Sequence, residues 1–238
     1  MMTKSFFVLL ICVCLPIFGC CQSIQKKPDF ALQQGDLLFQ DSDCGPLCDA
    51  IERVTQGYSR ANLTHVGIAV KDSNDNFVVI EAVSAGVSVT QLQNFLNRGF
   101  DAQHRPKTIV GRLKQVYQPL IPYAIQEAAA LKGKPYDKEF LIDNNKYYCS
   151  ELIYEIFLRA NHNSPLFTLE PMTFTDPHTG SVYPAWQEYF DKLGIEVPQG
   201  RPGINPGGIS RSPAITIVHA YGAPNGWEKE TARKFNVD

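Results

Sequence analysis

The feature that most constrains the fold is a pair of strand-like segments separated by a run of turn-forming residues. Branched and small side chains alternate along the first segment, Thr64–Val70, as expected of a strand with one packed face. The second segment, Phe77–Val83, is apolar at every position except Glu81. Between them, Lys71–Asn76 is rich in Asp, Asn and Ser, which favour turns. The sequence therefore predicts an antiparallel β-hairpin.

The predicted hairpin brings two chemically distinctive side chains, His65 and Glu81, to one face. A three-residue loop would pair Lys71 with Asp75 and set His65 directly opposite Glu81. A five-residue loop would make them diagonal neighbours that still reach each other, and only an odd shift in register would separate them. Because burying an unpaired acid in an apolar strand is costly, we expect His65 to be the partner of Glu81.

A third segment begins at Cys149 and is predicted to be an amphipathic helix. Its apolar residues recur at helical spacing on one face, whereas Glu151, Glu155 and Arg159 lie on another. A thiol at a helix start lies near the positive end of the helix dipole and near free backbone N–H groups, and both favour the thiolate. Cys149 is therefore a candidate nucleophile. The alternative is a small, buried apolar side chain, which is the more common fate of a lone cysteine.

Together the three residues fit a Cys–His hydrolase, in which a third group orients the imidazole and stabilises its charged form. Cys149 would be the nucleophile, His65 the general base and Glu81 the orienting group. For each residue alone a structural role is more common, with Glu81 a surface acid on an open hairpin face and His65 merely a polar neighbour. The agreement of all three favours the catalytic interpretation.

Four short motifs in a fixed order carry a resemblance to a known family: Gly35-Asp36-Leu37-Leu38-Phe39, Thr64-His65-Val66-Gly67-Ile68, Glu81, and Tyr148-Cys149-Ser150-Glu151-Leu152. They resemble the circularly permuted NlpC-type branch of the papain-like cysteine amidases and peptidases. Papain-like enzymes place the cysteine helix before the histidine strand, whereas the order here is His, Glu, Cys, as in the permuted branch. The resemblance covers residues 35–160. It implies an α+β, circularly permuted papain-like fold, with a small antiparallel sheet or barrel packed against the nucleophile helix.

The resemblance also extends the set of candidate site residues. It places Asp36 at the start of the first barrel strand, where we expect a structural role, with substrate binding as the alternative. The backbone N–H of Cys149 is the first candidate donor to an oxyanion, and the side chain of Tyr148 is a candidate for the second. No metal or organic cofactor is implied.

The first twenty residues are typical of an export signal. Lys4 precedes a mostly apolar run, Phe6–Phe18, which is too short for a membrane span and ends in Gly19-Cys20-Cys21. A cysteine at this place resembles a bacterial lipobox. The sequence therefore predicts a lipoprotein-type signal peptide over 1–20, lipid on Cys20 that anchors the protein to a membrane of the cell envelope, and a linker over 21–34. The alternative is a freely secreted protein.

The remaining residues, 35–238, are predicted to form a single domain. The chain has 238 residues, of which 44% are hydrophobic, and this is enough to bury a full core. The formal net charge of -2 gives no electrostatic basis for nucleic-acid binding.

Two further cysteines, Cys44 and Cys48, lie close together ahead of a predicted helix. Their spacing exceeds that of a redox C-x-x-C motif by one residue, and no second Cys or His pair nearby has zinc-ligand spacing. An exported location would permit a disulfide between them. The sequence leaves a disulfide and two free thiols as equal alternatives.

Two segments bear on the surroundings of the site. Thr90-x-x-Gln93 has the spacing of a capping box, which predicts a short helix beginning there. Residues 165–213 hold half of the 16 prolines, with one short helix predicted over Pro184–Leu193. This proline-rich segment is interpreted as an ordered surface wrap, or alternatively as a cleft wall that selects the substrate.

The predicted function is that of a cell-envelope cysteine hydrolase that cleaves an amide bond in a short peptide, a peptidoglycan stem or another small acyl-amide. A lipid acyl hydrolase or acyltransferase with the same triad is the first alternative, which an apolar cleft beside Cys149 would favour. A non-catalytic binding lipoprotein is the second.

Overall fold

The computed structural model describes residues 30–228, and the elements below all lie in the unit Ala31–Asp238. The predicted signal peptide, Cys20 and most of the predicted linker lie outside the described residues. Among the described helices, none combines the length and apolar character needed to cross a membrane.

Strands and helices follow one another without a strict alternation. In chain order they are β1 (Leu37–Gln40), α1 (Pro46–Val54), a 3₁₀ turn (Tyr58–Arg60), β2 (His65–Lys71), β3 (Phe77–Val83), β4 (Gly86–Gln91), α2 (Leu92–Leu96), β5 (Thr108–Leu113), a second 3₁₀ turn (Gln115–Leu120), α3 (Ile121–Ala130), α4 (Cys149–Ala160), β6 (Glu170–Pro171), α5 (Pro184–Leu193), β7 (Pro202–Gly203), α6 (Pro206–Ser210) and β8 (Ile215–Ala220).

Six of the strands form one antiparallel sheet in the order β4-β3-β2-β1-β5-β8, and β6 pairs with β7 separately. The large sheet is open, with β4 and β8 at its edges, so the predicted small sheet is present but is not closed into a barrel. Helix α4 packs against β2, β3 and α3, and its buried Leu152, Ile153 and Ile156 join the main core. The predicted α+β fold, with a sheet packed against the cysteine helix, is confirmed.

The hairpin of β2 and β3 has the longer of the two predicted loops. Lys71 pairs with Phe77, so His65 and Glu81 are diagonal neighbours and the directly opposed arrangement is wrong. The Asp72 carboxylate explains this register, because it accepts the backbone N–H groups of Asn74 at 2.8 Å and Asn76 at 3.0 Å. These bonds hold all five residues 72–76 in the turn.

The proline-rich segment 165–213 is ordered around its own aromatic cluster. The predicted helix over Pro184–Leu193 is present as α5, and its Trp186 and Phe190 are buried with Phe174 against Ala50 of α1. The Trp186 indole N–H donates to the Ala50 carbonyl at 3.3 Å. The segment is therefore tied to α1.

Cys44 and Cys48 form a disulfide, which is one of the two alternatives that the sequence left open. Cys44 and Cys48 are bonded, with their Cα atoms 5.4 Å apart, and the bridge spans the first turn of α1. Within residues 30–228, Cys149 is the free cysteine.

Candidate active site

The hairpin register brings the imidazole of His65 onto the carboxylate of Glu81. His65 is the first residue of β2, and its Nε2 lies 2.5 Å from Glu81 Oε2. Gly67 makes this approach possible, because a Cβ atom at this position would collide with Val79 and lie 3.3 Å from the Glu81 Cβ. Glu81 itself is fully buried in the middle of β3.

Two residues that the sequence did not connect with Glu81 complete its hydrogen bonding. Thr90 Oγ1 donates to Oε1 at 2.5 Å, and Arg98 donates from Nη1 to Oε2 at 2.7 Å and from Nη2 to Oε1 at 2.6 Å. The predicted capping box at Thr90 is wrong, because β4 continues to Gln91 and the Thr90 hydroxyl is used by the carboxylate. The one available signal was that a buried carboxylate needs several donors.

The pair is charged at neutral pH. Burial raises the pKa of Glu81, but hydrogen bonds from His65 and Arg98, the His65 charge and the Thr90 hydroxyl outweigh burial and lower this pKa to about 2. Burial lowers the pKa of His65, but hydrogen bonds and charge from Cys149 and Glu81 outweigh it and raise this pKa to about 9. The site therefore contains an imidazolium held against a carboxylate.

Cys149 lies beside His65. It is the first residue of α4, is 7% exposed, and is close enough to the imidazole to raise the pKa of His65. The neighbouring Ser150 Oγ donates to the Ile204 carbonyl at 2.9 Å, and the Ile204 N–H donates to the Tyr148 hydroxyl at 3.1 Å. These two bonds fasten the start of α4 to the end of the proline-rich segment.

The polar face predicted for the cysteine helix is corrected at its first turn. Glu151 is buried, and its carboxylate accepts the Tyr148 backbone N–H at 3.2 Å, so it caps the helix instead of facing solvent. Burial raises the pKa of Glu151 to about 9. The glutamic acid is therefore neutral near pH 7 and adds no negative charge beside Cys149.

The structure brings Cys149, His65 and Glu81 together, but it does not bring Asp36 to them. Asp36 is buried at the start of β1, where Arg112 donates to it from Nε at 2.7 Å and from Nη2 at 2.8 Å. The Gln33 backbone N–H donates to the same carboxylate at 2.8 Å. Its position matches the structural role and not the alternative of substrate binding.

A cavity of about 130 Å³ opens beside Cys149. Its walls come from α1, from the 136–149 segment and from the proline-rich segment 165–213, which therefore acts as a cleft wall. Most of the lining is apolar, and Glu170 is the one charged residue in it. The apolar and aromatic members are Ile51, Val54, Tyr136, Phe140, Tyr148, Pro171, Met172, Phe174, Trp186, Ile204 and Pro206.

Two tyrosines in this lining keep their phenolic protons. Burial and then the charge of Cys149 raise the pKa of Tyr136 well above its usual range, and burial likewise raises the pKa of Tyr148. Sequence reasoning proposed Tyr148 and missed Tyr136, which lies in a polar and aromatic loop without periodicity. A backbone bridge between Tyr136 and Tyr147 places it next to the cysteine helix.

Residues 30–228 contain no group of three or more His, Cys, Asp or Glu side chains placed to hold a metal ion. The carboxylate bonded to His65, that of Glu81, is already taken by Thr90 and Arg98, so it does not form such a group with Cys149 and His65.

Comparisons with known proteins agree on the fold. A family model described as "Permuted papain-like amidase enzyme, YaeF/YiiX, C92 family" matches residues 31–219. The uncharacterized protein YiiX of Escherichia coli K12 is 27% identical over 135 residues, which are 56% of this chain and 62% of that protein, so under two thirds of its length is spanned. A crystal structure described as metalloprotein yiiX from Escherichia coli O157:H7 has a TM-score of 0.63 at 24% identity, covering 81% of this chain and 98% of that one.

Proposed function

This chain belongs to the C92 family of permuted papain-like amidases, and from that membership we propose that it is a cysteine hydrolase that cleaves an amide bond through Cys149, His65 and Glu81. The observation that carries the proposal is the convergence of Cys149 and Glu81 on the His65 imidazole, with an apolar cavity beside Cys149. The order His65, Glu81, Cys149 along the chain is the one expected of the permuted NlpC-type branch.

The proposed reaction has two halves. The Cys149 sulfur attacks the amide carbonyl as a thiolate, and the His65 imidazolium gives its proton to the departing amine, which leaves a thioester on Cys149. Neutral His65 then takes a proton from water while the water oxygen attacks the thioester. The carboxylic acid is released, and the proton held by His65 restores the ion pair with Cys149.

The backbone N–H of Cys149, at the start of α4, is the first proposed donor to the oxyanion. For the second donor we propose Tyr136 ahead of Tyr148. Both phenols are protonated and both side chains line the cavity beside Cys149, but the Tyr148 hydroxyl already accepts the Ile204 backbone N–H at 3.1 Å.

The cavity supports a substrate whose acyl side is apolar. A wall of aromatic and aliphatic side chains stabilises an apolar group by removing it from water, and it offers no cation for the carboxylates of a peptidoglycan stem. An N-acyl amide is therefore the leading substrate class. The same observation favours a second candidate function, in which the triad acts on a lipid ester as an acyl hydrolase or acyltransferase.

A parallel substrate test separates these functions. The purified full chain is offered N-acyl amino acids, stem peptides and phospholipids, with Cys149→Ala as the control. Cys149-dependent release of amines from N-acyl amino acids or peptides supports the amidase. Release of fatty acid from phospholipid, or its transfer to an acceptor, moves the assignment to the lipid enzyme. If no substrate reacts and Cys149 resists alkylation, the protein is a binding lipoprotein.

The location remains a separate proposal. Lys4, the apolar run and Gly19-Cys20 support export and lipid anchoring in the cell envelope. Metabolic labelling with a fatty-acid probe should mark the wild type and not Cys20→Ala. Equal labelling of both would move the attachment to another residue, and absence of label from both would indicate a protein without this anchor.

A further inference from the structure

We propose that Arg98 is a positioning residue of this site, which fixes the Glu81 carboxylate so that one of its oxygens stays on His65. The inference rests on the proposed function, because it assigns a part in the same triad. It goes beyond that function by adding a cation that is outside the described lining of the cavity.

The first argument is the saturation of the carboxylate. Glu81 Oε1 accepts from Thr90 at 2.5 Å and from Arg98 at 2.6 Å, while Oε2 bonds with His65 at 2.5 Å and accepts from Arg98 at 2.7 Å. A carboxylate has about four lone-pair sites, so this one is fully used. The fork of Arg98 spans both oxygens and thereby fixes the plane of the carboxylate. Without Arg98, each oxygen keeps one donor and the plane can turn.

The second argument is a shared aromatic wall. The Arg98 guanidinium carbon lies 5.2 Å from the centroid of the Phe95 ring, and this ring lies 5.8 Å from the imidazole of His65. Phe95 is fully buried, and its carbonyl accepts from Gln40 Nε2 of β1 at 2.7 Å. Arg98 therefore packs on the same ring that limits how far the imidazole can move.

The third argument is that the backbone holds Arg98 in place. The Asn97 N–H donates to the Gln93 carbonyl at 3.0 Å, which closes the end of α2 immediately before Arg98. On the other side, the Gly99 carbonyl accepts the Lys107 N–H at 2.9 Å. These bonds hold the backbone on both sides of Arg98, so little further freedom is lost there when the side chain binds the carboxylate.

The charge of Arg98 has its own effect. Glu81 is completely buried, whereas the Arg98 side chain is 31% exposed. Arg98 therefore lies between the buried carboxylate and the solvent. Its hydrogen bond is among the causes that hold the pKa of Glu81 at about 2. Glu81 therefore stays ionised while His65 is an imidazolium, and the proton is not transferred to the carboxylate.

The chain offers a matched control in Arg112. It forms the same bidentate pair with a buried carboxylate, that of Asp36, and lies away from the cavity. Loss of Arg112 and loss of Arg98 therefore remove equivalent ion pairs, and only the second one touches His65.

The experiment measures the alkylation rate of Cys149 by iodoacetamide from pH 4 to pH 9 on the full chain, with the modified peptide identified by mass. This readout needs no known substrate. Arg98→Met should lower the rate at neutral pH by about tenfold, as partners of a site residue typically do. It should also bring an acid limb into this pH range, because the pKa of Glu81 rises from about 2 by about one to three units when the carboxylate loses a cation. Arg112→Met should leave both quantities at the wild-type values.

Two further variants separate charge from geometry. Arg98→Lys keeps the cation without the fork, so the acid limb should return towards the wild type while the rate recovers only in part. In a Glu81→Gln background, Arg98→Met should cost less than threefold, since a residue that acts through Glu81 loses its role there. Thr90→Val removes the other donor to Oε1 and should lower the alkylation rate by less than Arg98→Met does. If Arg98→Met does not fold, this variant tests whether the hydrogen bonds of the Glu81 carboxylate affect Cys149.

The outcomes distinguish this inference from the proposed function. If Arg98→Met matches Arg112→Met while His65→Ala and Glu81→Gln slow the alkylation, the triad stands and the role of Arg98 is wrong. If His65→Ala leaves the rate unchanged, the triad itself fails and the proposed function fails with it.

Discussion

Two buried carboxylates in this molecule are held by the same kind of bond and have different roles. The Arg98 guanidinium donates to the two oxygens of Glu81 at 2.6 and 2.7 Å, and the Arg112 guanidinium donates to those of Asp36 at 2.7 and 2.8 Å. The difference lies in the next partner. Glu81 is shared with the His65 imidazole, whereas Asp36 takes the backbone N–H of Gln33. The bidentate ion pair by itself therefore does not indicate a role. The third partner of the carboxylate distinguishes a pair at the candidate site from a pair that holds a strand in place.

The surroundings of the two pairs reinforce the contrast. Asp36 precedes β1, and its backbone carbonyl accepts the Ala69 N–H at 2.8 Å, while Arg112 also donates to the Ala31 carbonyl at 3.0 Å. The Arg112–Asp36 pair therefore fastens the entry of the chain to the sheet. The Arg98–Glu81 pair instead shares one of its carboxylate oxygens with the titratable ring of His65.

The contrast between the two pairs is tested most directly by replacing His65. We expect His65→Ala to lower kcat/KM on any Cys149-dependent substrate by about 10⁴-fold, the effect typical of removing a triad member. The thiolate loses its counter-ion and the leaving amine loses its acid. Steady-state kinetics check this, with Arg112→Met as the control that retains full activity. A loss below tenfold would mean that Glu81 and Asp36 are equally structural.

The next effect is on stability, and it should be alike for the two pairs. Glu81→Gln and Asp36→Asn each leave a guanidinium without its charged partner, so each should lower the free energy of unfolding by about 3 kcal/mol, the lower end of what breaking a buried pair costs. Urea unfolding gives both values. Alkylation of Cys149 should slow only in Glu81→Gln, and equal slowing in Asp36→Asn would remove the distinction between them.

The pH dependence of stability should tell the pairs apart. The pKa of Glu81 is lowered to about 2, so its contribution is complete above its ordinary value of 4.5 and is lost as the pH falls towards 2. The pKa of His65 is raised from 6.5 to about 9, so its contribution is complete below 6.5 and is lost as the pH rises through 9. The stability difference between wild type and Glu81→Gln should therefore be largest between pH 4.5 and 6.5.

Unfolding curves at several pH values measure this difference. For Asp36→Asn the corresponding difference should show no decline between pH 6.5 and 9, because no imidazole is bound to that carboxylate. A decline of the same size in both variants would show that the alkaline loss does not arise from the bond between His65 and Glu81.

The smallest expected effect tests whether the site is independent of the helix that lines its cavity. The Cys44–Cys48 disulfide closes a loop of about five residues, and replacing both cysteines by Ser should cost about 2 kcal/mol of stability. Within residues 30–228, the hydrogen-bond partners of the two ion pairs do not come from helix α1. The alkylation profile of Cys149 should therefore stay that of the wild type, and a shifted profile would show that α1 takes part in positioning the triad.

Sequence reasoning could predict that Cys149, His65 and Glu81 meet because all three lie on regular elements. Alternation along Thr64–Val70 and the pairing of the hairpin put His65 and Glu81 on one face, and the helical spacing after Cys149 marked the start of a helix. Loop length remained open between two values, since the choice depends on the Asp72 carboxylate binding two backbone N–H groups. Both loop lengths keep His65 and Glu81 on the same face, so the prediction of the pair did not depend on it.

The residues that were missed lie where no periodicity exists. Arg98 follows a helix of five residues, and Tyr136 and Phe140 lie in an irregular segment, so neither spacing nor propensity distinguishes them from surface residues. Thr90 was misread because its spacing from Gln93 suggests a helix cap, whereas its hydroxyl donates to the Glu81 carboxylate. A buried charge takes the hydroxyl, since leaving it short of donors costs more than an uncapped helix end.

The place of β4 at the edge of the sheet has a consequence for how activity would be lost. Thr90 belongs to β4, and Arg98 follows the helix that continues from it, so both donors to Glu81 depend on a strand with one sheet neighbour. Edge strands open locally at a fraction of the free energy of global unfolding. We therefore expect a partly opened, inactive species to be populated well before the protein melts. Moderate heat or denaturant should abolish Cys149-dependent activity while the circular dichroism spectrum is still that of the folded protein.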